Sequence, residues 1–148
     1  MAVGSMIRVC ATAISTNADN GRKVIFRFAK EFDPSFDRTS QPLRVIIVWR
    51  YQSETGQPVA EEYQRMNELE DALEPHLNKD HFSTLALVST GEGLREWTYY
   101  AKSEAEFESR FDCAIVGAPD FPIEIHTALD PAWETYEEFK SGLVGDAT

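Results

Sequence analysis

The chain has 148 residues, 43% of them hydrophobic and 11% aromatic, with 14 Lys+Arg against 25 Asp+Glu for a formal net charge of −11. At this length one core can bury roughly two thirds of the unfolded surface, so one domain is expected and neither disulfides nor a structural metal are needed to hold it. The negative charge argues against direct nucleic-acid binding, because phosphate contacts need a basic face, and the longest apolar run, residues 45–49, is far too short to span a bilayer.

The opening Met1-Ala2-Val3-Gly4-Ser5, ahead of a second methionine at Met6, reads as a scar added before the natural start, and no sustained apolar core of a secretion signal is visible near it. Residues 7–14 and 23–29 read as two strands joined across Asn17-Ala18-Asp19-Asn20-Gly21, whose Asn-Gly is a hairpin signal. Pro34, Pro42 and polar residues around Phe32 and Phe36 mark residues 32–42 as a loop that pins itself through one of those rings. Residues 43–51 are a β-branched run suited to a central strand covered on both faces. A turn through Gly56 then leads to Pro58 at the first turn of a helix. In that helix Val59, Tyr63, Met66, Leu69 and Leu73 form one apolar stripe, and Glu61, Glu62, Glu68, Glu70, Asp71 and Glu74 fill the other faces. Pro75 is expected to end or kink it near Leu73 or Glu74.

Residues 81–90 and 94–101 are the fourth and fifth strands, turning at Gly91-Glu92-Gly93, with Arg95, Trp97 and Tyr99 on one face of the fifth and Glu96, Thr98 and Tyr100 on the other. Ser103-Glu104-Ala105-Glu106 is a capping box that opens a short helix burying Phe107 and Phe111. After a break at residues 117–120, residues 121–128 are a sixth strand. Asp130-Pro131-Ala132-Trp133 then supplies a cap, a first-turn proline and a core aromatic for a last helix carrying Tyr136 and Phe139. The expected architecture is an α+β two-layer sandwich over residues 6–143, mostly antiparallel, with its helices on one face. A ferredoxin-like βαββαβ core is preceded by a hairpin and followed by a C-terminal helix, with a frayed tail at 144–148.

Charge is segregated along the chain. Residues 1–50 hold eight Lys/Arg against four Asp/Glu, whereas residues 51–148 carry a net −15. Cys10 and Cys113 are 103 positions apart without a Cys-x-x-Cys spacing, so they read as two reduced, buried thiols of a cytoplasmic protein.

No nucleophile elbow, Gly-rich phosphate loop or His-Glu-x-x-His is present. His76, Asp80 and His81 lie close together at no standard ligand spacing, and they read as ordinary loop residues, with no metal or cofactor expected. The carboxylate pairs of the first helix read as a solvated face, and His126 with Glu124 as a pair on one strand face. The most suggestive set is Trp49, Tyr51, Trp97, Tyr99 and Trp133 with Arg50 and Arg95. Such rings are usually core, yet Arg95 beside Trp97 and Tyr99 has the composition of an interface hot spot if it is exposed.

Several landmarks taken together carry a resemblance: Trp49-x-Tyr51, Gly56-Gln57-Pro58, Thr90-Gly91-x-Gly93-x-Arg95-Glu96-Trp97-x-Tyr99-Tyr100, and Asp130-Pro131-x-Trp133-x-x-Tyr136. In order and spacing the chain resembles, over roughly residues 20–140, a bacterial family known as domain of unknown function 695. The resemblance implies no established activity. It does imply an architectural analogy with domains that occur beside, or look like, an acidic protein inhibitor of an endoribonuclease.

Two functional expectations follow. The leading one is a non-catalytic binding or regulatory domain, a monomer or small homo-oligomer. Its acidic helical face would contact a basic protein such as a nuclease, through Glu61, Glu62, Glu70, Glu74, Arg95, Trp97 and Tyr99. The alternative is a small-molecule sensor or enzyme with a cleft lined by Trp97, Tyr99, Arg95 and His126.

Overall fold

A computed structural model describes residues 6–146; residues 1–5, the expected scar, and residues 147–148 of the expected tail lie outside the described residues. The elements in chain order are β1 (Ile7–Thr16), β2 (Lys23–Phe32), β3 (Leu43–Arg50), α1 (Ala60–Asn78), β4 (Ser83–Gly91), β5 (Leu94–Ala101), α2 (Glu104–Ala114), β6 (Ile123–Leu129) and α3 (Glu134–Asp146). The strands form one sheet in the order β1-β2-β4-β5-β3-β6, each paired antiparallel with its neighbours. β3 and β4 therefore run parallel with β5 between them, joined by α1. β5 and β6 run parallel with β3 between them, joined by α2. Two split βαβ units interlock in this way, and the β1–β2 hairpin extends the sheet beyond β4.

The β-branched run of β3 takes the interior position it was suited to, flanked by β5 and β6. Its Val45, Ile47 and Trp49 are fully buried, and with Trp97 and Tyr99 of β5 they meet Met66, Leu69, Leu73 and Leu77 of α1 and Phe107 and Phe111 of α2. The Ser103 hydroxyl accepts from the Glu106 amide, as the capping box predicts.

α3 does not join the other helices. It lies across the opposite face of the sheet, where Tyr100, Ala86 and Ala29 pack against Trp133 and Tyr136, and where Phe139 meets Phe26 and Phe28. The helices thus cover both faces, correcting the expectation of one. The reason is in β5, which alternates an apolar face ending in Tyr99 with a second face carrying Tyr100. An aromatic on each face of a central strand needs a cover on each side. Phe32, which ends β2, and Phe36 of the loop both pack on Trp133, so the loop is pinned by rings at its start and within it.

Entry to α3 also differs from expectation. Pro131 precedes the helix instead of opening it, and Trp133 takes φ +57 so that its ring lies flat on Tyr100, with centroids 4.1 Å apart. Asp130 fixes this turn: its carboxylate accepts from the Glu134 amide (2.8 Å), the Thr135 amide (3.2 Å) and the Tyr100 hydroxyl (2.7 Å). Burial opposes the charge on Asp130, yet these donors outweigh it and hold the carboxyl below its ordinary range.

α1 continues past Pro75 to Asn78, so the proline does not end it. The proline withholds an N–H from the Asp71 carbonyl on an exposed turn, where water can serve that oxygen, while Leu77 two residues on is buried. Arg110 of α2 closes the end by donating to the carbonyls of His76 (3.0 Å) and Lys79 (2.9 Å). Asp80 and His81 then adopt φ near +59 and +54 to turn the chain into β4. At the other end of the stripe Val59 and Tyr63 are exposed, so the buried face of α1 begins at Met66. Cys10 and Cys113 are both exposed, contrary to expectation, because one lies on the edge strand β1 and the other on the outer side of α2. No helix among the described residues is long and apolar enough to cross a membrane.

The extension of α1 past Pro75 is testable by urea denaturation. Leu77→Ala should cost about 2–5 kcal/mol, as for other buried leucines. His76→Ala, on the exposed side, should stay within about 0.5 kcal/mol of the parent. Equal, small effects would place residues 75–78 outside the core.

Candidate functional site

The residues singled out on β5 are not on the surface. Arg95 is 2% exposed, Trp97 0% and Tyr99 4%, all beneath α1. Their polar atoms converge on one carboxylate. Glu70 Oε1 accepts from Arg27 of β2 (2.5 Å), Arg95 (3.3 Å) and the Trp97 indole (2.8 Å). The Arg95 guanidinium is further enclosed by the Tyr63 and Trp97 rings at 5.2 and 5.0 Å. Burial works against ionisation of Glu70, but Arg27, Trp97 and Arg95 outweigh it and keep its carboxyl below the ordinary range. In Arg27 the contest runs the same way: burial would lower its pKa, and the bond to Glu70 raises it.

Glu70 is therefore a structural anchor, not a free contact residue. Glu62 is also engaged, accepting from the Trp49 indole at 2.8 Å. Of the four expected contact glutamates only Glu61 and Glu74 stand exposed without an ion pair. The hot-spot patch of Arg95, Trp97 and Tyr99 is corrected to core, since a strand under a packed helix has no solvent on that face. A cleft that also includes His126 is not assembled. His126 lies opposite Ile46, which lies opposite Thr98, so it sits on the sheet face away from Tyr99. It is exposed, with its Nε2 3.3 Å from Glu124 Oε2. Among the described residues no three His, Cys, Asp or Glu side chains converge as a metal site.

Other landmark residues fix loops to the sheet. Gly56, at φ +89, offers its carbonyl to the Tyr51 hydroxyl (2.6 Å) and to the Gly93 amide (3.2 Å). The Gln57 amide donates to the carbonyls of Lys23 (2.7 Å) and Thr90 (3.2 Å), closing the segment before α1 onto β2 and β4. Gly91 is required where it stands, because a Cβ there would lie 2.6 Å from the Lys23 carbonyl.

Two surfaces stand out among the described residues. The outer sides of α1 and α2, which pack on each other, expose Glu61, Glu68, Asp71 and Glu74 on one helix and Glu104, Glu106, Glu108 and Asp112 on the other. The arginines of these helices do little to neutralise them. Arg65 lies over Trp49 and Phe121 and donates to the Asp120 carbonyl, while Arg110 covers Phe82, caps α1 and only reaches Glu106 at 3.4 Å. The second surface is a cavity of about 250 Å³ between the last turns of α1 and the β1–β2 hairpin, into which Tyr99 faces. The charge segregation pointed towards the first. The cavity had no sequence signal, because it arises where the hairpin reaches past the helix.

A two-faced α+β sheet domain, tied by aromatic and arginine anchors to one acidic helical layer, is the class these features define. The model of a family of unknown function, DUF695, matches residues 12–140, and the chain belongs to that family. A search of curated proteins finds no match.

Loss of the Glu70 anchor should be visible as a pH-dependent stability change. Glu70→Ala leaves Arg95 buried without its carboxylate, which should cost on the order of 3–5 kcal/mol at neutral pH. Because the folded-state pKa of Glu70 is depressed, its contribution is complete above the unfolded carboxylate value and is lost as pH falls through the folded one. Denaturation midpoints of parent and variant should converge in acid. A gap that stays constant with pH would contradict the anchor.

Proposed function

We propose that the protein is a non-catalytic binding or regulatory domain whose α1–α2 surface contacts a basic protein, with a nuclease or another nucleic-acid-handling enzyme as the fitting class of partner. The observation that supports this reading is the pair of helices with eight exposed carboxylates whose own arginines are turned onto rings and backbone carbonyls. A surface of one sign steers an oppositely charged partner, raises its association rate and excludes phosphate backbones. Burial of Arg95, Trp97 and Tyr99 moves them from the contact surface to the framework that holds α1 in place. A cytoplasmic setting fits the two exposed, unpaired thiols.

Pull-down from a lysate at low and moderate salt, with identification of bound proteins, tests the reading. Replacing Glu61, Glu68, Asp71 and Glu108 together by Lys should leave folding intact and reduce recovery of basic partners by at least about tenfold, chiefly through a slower association rate. Recovery of no basic protein, or recovery indifferent to the four substitutions, would overturn it.

A further inference from the structure

The cavity beside Tyr99 borders the acidic face, sharing Glu74 with it, and has a chemistry of its own. Its floor is apolar, built from Leu77, Leu85 and Val88 beside the β2 segment at Phe28 and Ala29, and its mouth is set by the Arg27–Glu70 pair and by Glu74. Its volume, about 250 Å³, is below that of sites for drug-sized molecules and suits a single ring or short chain of about ten non-hydrogen atoms. Tyr99 lines it with 4% exposure, and among the described residues no hydrogen bond engages its hydroxyl, so that oxygen is open to the cavity.

The polar groups around this space are unequal in what they can still do. Arg27 is bound to Glu70 and Arg8 to Asp33, so both lining cations are already engaged. All three donors that reach Glu70 use Oε1, which leaves Oε2 without a partner among the described residues. The Glu74 carboxylate is in no ion pair among them, and the Tyr99 oxygen is open. The lining's cations each already face a carboxylate, whereas Glu74 and Glu70 Oε2 are acceptors that face no cation among the described residues, over an apolar floor.

We propose that this cavity binds a small amine: an apolar ring or short chain seated on Leu77, Leu85 and Val88, with its ammonium group towards Glu74, Glu70 Oε2 and the Tyr99 oxygen. A charged head donating to carboxylates and to an otherwise unpaired hydroxyl is favoured over a carboxylate head, which would meet Glu74 with like charge.

Two-dimensional amide NMR of the full chain, titrated with phenethylamine, tests this. Saturable shifts should be concentrated at residues 27–29, 77–78, 85, 88 and 99. Methylamine, which has the head but no ring, and 3-phenylpropionate, which has the ring but the opposite charge, should each bind at least about tenfold more weakly. Tyr99→Phe keeps the ring and Glu74→Gln is on the surface, so both should fold, and each should weaken phenethylamine by about tenfold, the usual loss of a hydrogen bond to a charged group. The site would be overturned by no saturable shift at millimolar phenethylamine. It would equally be overturned by shifts spread over Glu61, Glu68 and Glu108 that methylamine reproduces, by preference for the carboxylate, or by indifference to both substitutions. Glu74 is absent from the substitutions that test the acidic face, so the failure of one reading leaves the other standing.

Discussion

One oxygen of Glu70 holds three parts of the molecule together. It accepts from a strand of the hairpin through Arg27 and from the central sheet through Arg95 and Trp97, while its own backbone belongs to α1. A carboxylate at 16% side-chain exposure costs free energy to desolvate, and two guanidinium groups with an indole offset that cost only in this arrangement. Everything above the sheet on that side depends on it. The angle of α1 decides where its apolar stripe lands, which carboxylates face outward, and how far the helix stops short of the hairpin.

The opposite face is organised by a second carboxylate with a different task. Asp130 satisfies the exposed amides at the start of α3 and at the same time accepts from Tyr100, so the helix is joined to the sheet at its first turn. Tyr136 extends the attachment by donating from its hydroxyl to the Ala29 carbonyl (2.5 Å), and Arg38 covers the Phe32, Trp133 and Tyr136 rings from the loop side. One carboxylate thus positions a helix from its middle and the other from its end, and the sheet between them is aromatic on both sides.

Local chemistry was readable from the residues alone, and spatial relationships were not. The alternation in β5, the β-branched run of β3, the Ser103 capping box and the glycine turn at 91–93 are patterns of neighbours in the chain, and each appears where its pattern placed it. Pro75 was misleading because its cost depends on whether the Asp71 carbonyl faces water, which no local pattern encodes. Arg95 and Glu70 looked like surface charges for a similar reason. Their burial follows from each other and from Arg27, residues that meet only after the sheet has formed. The side chosen by α3 was half legible, since β3 was suited to cover on both faces while the helices were assigned to one. For the same reason the acidic surface could be expected from charge counts, whereas the cavity could not.

The position of the β1–β2 hairpin has a consequence for how the molecule is made. The hairpin is local in sequence, but among the described residues its neighbour in the sheet beyond itself is β4, along the short register from Ile25–Thr90 to Phe28–Leu87. Local pairing closes a small loop and forms early, whereas docking against β4 must wait for a much longer loop to close. The space under the end of α1 therefore comes into being only with this long-range pairing, and its walls report that the hairpin has docked.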